Sequence, residues 1–530
     1  SNLVFGYGSL TGLANLVAPA GYRASVVNDS ANSRVLLDIT TGTRTWNQTT
    51  PGTWDVLSNA SWVESDTLFA NGDAVVFDNT ATNGNVTLAG TLTPQSVTFN
   101  HSTTSYALSG AGVIAGTTGI VKNGDGTASI ATANTYSGAT LINQGTLNIQ
   151  HATALGNTTG STTVASGATL QIQGGINSAE PISLAGTGFG SNGAIANLSG
   201  TNTISGALTL TNHATVVASA GELIFSAAAG HSGGPFTLTK NGTGNLRMNA
   251  ANNAVDITVT EGTLFARGGN FSAAFAPGRT ITVDGTGKLD TITHSLGSEV
   301  GGGGAVASIA LTNGGTWQAN NEQYVRTLTM TSGNVTGAGE LRTLSSSVYT
   351  SVAAATSSTI SAGVNMVNAG SFAVNDGAAA DDMVLSGYIS NAGAITKTGD
   401  GTMVISGTSA NTFTGALNIN AGIVRVEKSS ALGTTAAGTT VASGAALHLA
   451  NGVAIGAEAL SLSGTGPASG GALRNISGTN SFAGAISLAA ASRINSDAGS
   501  LTLSGNISGT AVNLSIGGAG DTTVSGIIDV

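Results

Sequence analysis

Apolar residues recur at every second position in short bursts along this chain. Examples are ATLIN at 139–143, TLNIQ at 146–150, ATLQI at 168–172, ISLAG at 182–186 and ALTLTN at 207–212. A period of two belongs to a strand with one covered face. Gly, Asn, Ser or Thr bound each burst, and these are turn residues. No stretch sustains a 3.6-residue period, so the pattern predicts strands throughout and almost no helix. Corresponding bursts return every 19 to 26 residues, the length of one turn of a three-sided coil. Small and β-branched residues fill the apolar positions, while aromatics are only 5%. Such side chains stack on their counterparts from coil to coil, which favours a β-solenoid over a sandwich or barrel. The expected class is all-β, with about two dozen coils about 4.8 Å apart in a rod on the order of 100 Å long.

The pattern is also duplicated. Tyr136 aligns with Phe413, and the string Val164 to Ala168 aligns with Val441 to Ala445. Asn197-Leu198-Ser199-Gly200-Thr201-Asn202 aligns with Asn475-Ile476-Ser477-Gly478-Thr479-Asn480. A register held over such a span is that of a repeated superunit. A weaker third copy starts at Lys240-Asn241-Gly242-Thr243-Gly244. The organisation read from these marks is a tail of a preceding unit at 1–44 and a tryptophan-containing unit start or joint at 45–117. A first superunit at 118–236, a divergent stretch at 237–393 and a second superunit at 394–530 complete the chain. The opening SNLVFGYGSL is no signal peptide, and the closing VSGIIDV stops inside a repeat-like stretch, so one period of a longer array is expected.

Composition narrows the function. Charged residues are 8%, against about 25% in average soluble proteins, and Gly is 78 of 530. With 41% hydrophobic residues the chain folds, and Thr, Ser, Asn and Gly must cover it. Stacked like charges would repel along a ladder, whereas stacked Asn and Thr can hydrogen-bond. The net charge is −10 with no basic stripe, which gives nucleic acid no electrostatic footing. No apolar run is long enough for a membrane-spanning helix. Cys is absent, so disulfides, thiolate metal sites and thiol catalysis are excluded together.

Two stretches carry a resemblance to a known family. One runs through Gly124-Asp125-Gly126-Thr127, Asn134-Thr135-Tyr136-Ser137-Gly138 and Gly145-Thr146-Leu147 to Ala154-Leu155-Gly156. The other runs through Gly399-Asp400-Gly401-Thr402, Asn411-Thr412-Phe413-Thr414-Gly415 and Gly422-Ile423-Val424. Both resemble the autotransporter-associated β-strand repeat, also called the passenger-associated transport repeat. The resemblance implies a right-handed parallel β-helix in a secreted protein of the bacterial cell surface. Relatives often continue into an outer-membrane barrel, which this sequence lacks. Trp46, Trp54 and Trp62, followed by Gly72-Asp73-Ala74-Val75-Val76-Phe77, look like the start of such a unit.

Candidate chemistry is thin. Gly230-His231-Ser232-Gly233-Gly234 fits a nucleophile elbow, but no helix follows it and so Gly-rich a chain produces the match by chance. The run Gly301 to Gly304 has neither the strand, the helix nor the lysine of a phosphate loop. Asp125 and Asp400 read as turn formers, since calcium needs six to eight oxygens and the third copy has Thr243 there. Asp381-Asp382 is an isolated acid pair, no face is expected to collect the acids, and the six His are scattered. The three tryptophans could stack on sugar rings or plug a joint between units, and the plug is preferred. No cofactor, metal or catalytic residue is expected. The leading function is a structural or adhesive segment of an extracellular bacterial fibre or filament, acting as a rigid stalk. A glycan-binding adhesin with a discrete site is the alternative, and a polysaccharide-degrading enzyme comes third. The expected partners are further repeats or copies of the chain end to end, and surface glycans or other cells.

Overall fold

The computed structural model describes residues 3–6, 19–227, 231–249, 253–267, 278–292, 295–296 and 308–530. The described residues contain no α-helix and three short 3-10 turns. The chain divides into two compact units, Ser1–Arg247 and Met248–Val530.

The first unit opens with a three-stranded antiparallel sheet. Arg34–Ile39 pairs with Leu3–Gly6 on one side and Ala24–Asp29 on the other. Beyond it every pairing described between named strands is parallel, and each of these strands meets its counterpart one coil on. Ser96–Asn100, Ile120–Asn123, Thr140–Ile142, Thr162–Val164, Ile182–Gly186 and Leu208–Ala218 form one column. Tyr106–Ser109, Thr127–Ile130, Gly145–Ile149, Ala168–Ile172 and Ile195–Asn197 form a second. Leu147, Leu170 and Ile195 of the second stand in register with Val216, from the far end of the long strand Leu208–Ala218 that joins both columns, and all are buried. Parallel stacking puts chemically similar side chains at the same depth of successive coils, so the core is built of repeated apolar rungs.

The second unit shows the same construction over a longer run. Leu264, Leu289, Trp317, Val335, Ile360, Leu385, Ile405, Val426 and Leu449 form one unbroken buried ladder. The ladder ends on Asn475, which enters its register beside Leu449. The chain is thus all-β and its coils make a parallel β-solenoid, as the alternation predicts. The alternation itself is incomplete. In Gly145–Ile149 every residue is buried, because the polar side chains of the neighbouring coils cover the outward row as well.

Candidate functional site

Three corners of the chain share one construction, and each starts from a lysine turned inward. Lys122 Nζ donates to the carbonyls of Asn123 (2.9 Å), Gly124 (2.6 Å) and Gln144 (3.2 Å). Lys397 Nζ donates to Gly399 (2.6 Å) and Ala421 (2.9 Å), and Lys240 Nζ to Asn241 (3.2 Å) and Gly242 (2.6 Å). All three side chains are fully buried. Burial pushes the Lys122 and Lys397 amines down to about 8, opposed by Asp125 and Asp400. At neutral pH both remain ammonium, whose three N–H donors suit converging carbonyls. Lys122 and Lys397 each reach a carbonyl of the next coil, so they tie one turn to the next. The lysines escape a reading of sequence because a Lys beside Asn-Gly-Asp-Gly looks solvated. The signal is that a Lys precedes all three Gly-rich turns of a chain with so few.

The glycines after each lysine let its carbonyls converge. Gly124 and Gly399 sit at φ +70° and +75°, and a Cβ on either would fall 2.4 Å from a carbonyl oxygen of the coil before. Gly145 and Gly422 share that handedness. At Gly126, Gly138, Gly401 and Gly415 atoms of the preceding coil fill the Cβ position. Asn134 then clips three coils together. Its Oδ1 accepts from Ile114 N (3.1 Å) and its Nδ2 donates to Ala154 O (2.9 Å). Asn411 repeats this with Ile389 N (2.9 Å) and Ala431 O (2.9 Å). Leu147 is fully buried, and Asp125 is exposed in its turn.

The tryptophans cluster with one another. Trp46 and Trp62 meet edge to face at 5.3 Å between ring centroids, and Trp54 meets Trp62 at 5.9 Å and Phe69 at 5.4 Å. Phe77 joins them to Phe99, stacked at 4.8 Å. Trp46 and Trp54 are fully buried and Trp62 nearly so, leaving no ring face for a saccharide. Asp73, just before the strand Ala74–Phe77 that carries Phe77, is also fully buried. It accepts from Arg23 (3.1 Å), Arg44 (2.9 Å), Gly42 N (2.8 Å) and Ala70 N (2.9 Å). Every lone pair is thereby answered, as a buried carboxylate requires.

The model of the passenger-associated-transport-repeat matches this chain at residues 120–149, 238–264 and 395–426, each beginning just before one of the lysine corners. The chain carries this repeat three times. It is also similar to the adhesin BmaC autotransporter of Brucella suis biovar 1 (strain 1330), 36% identical over 105 residues. That match spans 19% of this chain and 3% of the relative. No solved structure matches.

The copies of the repeat differ at a coupled pair. In the first, Tyr136 OH and Thr140 Oγ1 are 2.7 Å apart and buried. In the copy at 395–426, Phe413 and Leu417 hold these places, also buried, so the polar pair is exchanged whole for an apolar one. Both aromatic rings lie against the glycine of the following Ala-Leu-Gly. A Cβ on Gly156 or Gly433 would come within 2.8 or 2.9 Å of the ring. Two buried glutamates downstream are equivalent as well. Glu180 accepts from Thr162 Oγ1 (3.4 Å) and Glu458 from Thr439 Oγ1 (3.1 Å), and burial pushes both carboxyls up to about 7.

Of the candidate chemistry, Ser232 is exposed and 3.4 Å from Thr209 Oγ1, while the neighbouring His231 accepts from Leu208 N through Nδ1. Gly230, His294 and Gly301 to Gly304 lie outside the described residues. The expectation that no face gathers the acids does not hold. Arg425 donates to both oxygens of Asp381 (2.6 and 2.7 Å) and to Glu427 (2.8 Å). Arg342 likewise bridges Glu322 and Glu340. Residues a coil or two apart in sequence meet across the ladder, which spacing along the chain hides. Asp382 instead turns in, accepting from Gly377 N and Thr402 N, both 2.8 Å. Among the described residues no group of His and acids could hold a metal ion.

Proposed function

We propose that this chain is a segment of a secreted bacterial surface protein and serves as a stiff, adhesive β-solenoid spacer. The observation that carries this reading is the continuous ladder from Leu264 to Leu449, locked at its corners by Lys397 and Asn411. Successive coils are held by backbone pairing and an apolar rung, with side-chain clips at the corners of Lys122, Asn134, Lys397 and Asn411, so stiffness is distributed along the stack. The repeat's name and the adhesin relative support a place outside the cell. On this reading the partners are further coils of a longer protein or other copies, and glycans of a surface. Segments 118–236 and 394–530 act as equivalent superunits, and 45–117 as the tryptophan-plugged start of a unit. The reading is non-enzymatic. It is supported by the ion pairs that occupy Asp381, Glu427, Glu322 and Glu340. Single-molecule pulling tests it. The chain should resist at high force and lengthen in steps of a coil or a few coils. Smooth low-force extension would refute a mechanical role.

A further inference from the structure

One surface cluster in the second unit, outside the repeat matches, gathers more planar polar groups than a coil needs. Tyr324, Arg342, Asn365 and Ser390 stand in register on four successive coils. Arg342 donates to Glu340 through Nε (2.7 Å), to Glu322 through Nη2 (2.5 Å) and to Tyr324 OH through Nη1 (3.2 Å). Asn365 Nδ2 (2.9 Å) and Tyr388 OH (3.0 Å) donate to the two oxygens of Glu340. Tyr388 lies over Gly363, where a Cβ would fall 2.4 Å from its Cζ, and is half-exposed.

Folding does not require this arrangement. Ile389 in the second unit has the place of Ile114 in the first, since the amide of each donates to the repeat's asparagine. The residue before it is Tyr388 in one and Val113 in the other. Val113 pairs with Thr91, whereas Tyr388 stands beside Gly363, the partner that the register of Ile389 and Val364 sets. Two β-branched residues therefore close the equivalent coil pair without ring or glycine.

We infer that the face around Tyr388 binds a neutral saccharide, with the ring as its platform. A sugar presents an apolar C–H face, which fits an aromatic ring, and a rim of hydroxyls, which fits carboxylates and amides. Glu322, with its side chain 39% exposed and felt electrostatically by Tyr388, supplies an acceptor, and the exposed Asn391, three residues after Tyr388 and bonded to Asn365, supplies an amide. Two carboxylates against one guanidinium leave the cluster net negative, which disfavours acidic sugars. Tyr388 and Arg342 are already pinned by Glu340, so little freedom is lost on binding. A protein partner would need a larger apolar centre than one half-exposed ring. This inference adds a specific ligand class to the adhesive side of the spacer reading.

The test uses the 530-residue chain. Mannohexaose, xylohexaose, cellohexaose and chitohexaose are titrated by calorimetry and saturation-transfer NMR, with an oligogalacturonate as the acidic control. At least one neutral hexamer should bind with Kd of about 1 mM or tighter. The paired change Tyr388→Val with Gly363→Thr installs the first unit's residues. It should weaken binding at least about tenfold, and the melting temperature should hold. Tyr388→Phe keeps the platform and should weaken binding less. No binding by any neutral hexamer, preference for the acidic oligomer, or unchanged affinity in the paired variant would each overturn the inference. Stepwise extension under force is independent of all three outcomes, so failure here and failure of the spacer reading are distinguishable.

Discussion

Tyr136 and Thr140 share a buried hydrogen bond at a position where Phe413 and Leu417 manage with none. Removing the Tyr136 hydroxyl alone leaves the buried Thr140 Oγ1 unanswered, which costs about 1–3 kcal/mol, whereas Tyr136 OH keeps a longer bond to Ala154 O (3.5 Å) when Thr140 is changed. Tyr136→Phe should therefore destabilise the chain, and adding Thr140→Leu should recover much of the loss. Urea melts of the two single variants and the double variant measure the coupling, expected at about 1 kcal/mol or more. Additive losses would show that the two residues act independently. Leu147 and Asp125 make a contrasting pair from one repeat. Leu147→Asp places a carboxylate among Leu170, Ile149 and their neighbours and should cost several kcal/mol, on the order of 3–5, even after its pKa rises. Asp125 is exposed and accepts only from Gln144 Nε2 (2.7 Å), so Asp125→Ala should cost about 1 kcal/mol or less. Equal shifts in thermal melting would contradict the assignment of faces.

At the scale of the coil, the duplicated Glu180 and Glu458 make stability depend on pH. Each is favoured protonated in the folded chain. Its contribution is complete below the ordinary carboxyl value of 4.5 and is lost as pH rises through about 7. His101, His231 and His448 run the other way, held by burial at about 4. Their contribution is complete above 6.5 and is lost as pH falls through about 4. Glu180→Gln with Glu458→Gln removes only the first effect. Between pH 4.5 and 7 the unaltered chain should lose about 1–3 kcal/mol per glutamate relative to that variant. A constant difference across that range would remove the glutamates as its cause. These same elements mark how far the sequence is legible by itself. The alternation of Leu147 and Ile149 and the turn at Asp125 are legible because each depends on residues adjacent in the chain. The second covered face of Gly145–Ile149 is not, because Asn148 meets Gln171 (3.3 Å) only once the coil register is known. The ion clusters of Arg342 and Arg425 are hidden for that reason too. The inward lysines escape notice because their partners are backbone carbonyls, to which side-chain patterns are blind. The antiparallel opening strands carry no repeat to betray a change of architecture.

At the scale of the whole molecule, coils that touch only their neighbours have no reason to melt together. Calorimetry should give an unfolding enthalpy larger than the van't Hoff value, with at least one transition for each of the two compact units. A single two-state transition would mean that cooperativity spans both. The buried lysines have a further outcome in this setting. Of the five in the chain, Lys122, Lys240, Lys397 and Lys428 are enclosed, and only Lys288 is exposed. An amine-directed ester should thus attach at one side-chain position on the native protein and at five once it unfolds, as peptide mass spectrometry would record. Modification of Lys122 or Lys397 at the rate of Lys288 would disprove the enclosed corners. If the prediction holds, the protein is a scaffold with one natural conjugation handle, and an enzyme that cuts after lysine finds one side chain to grip.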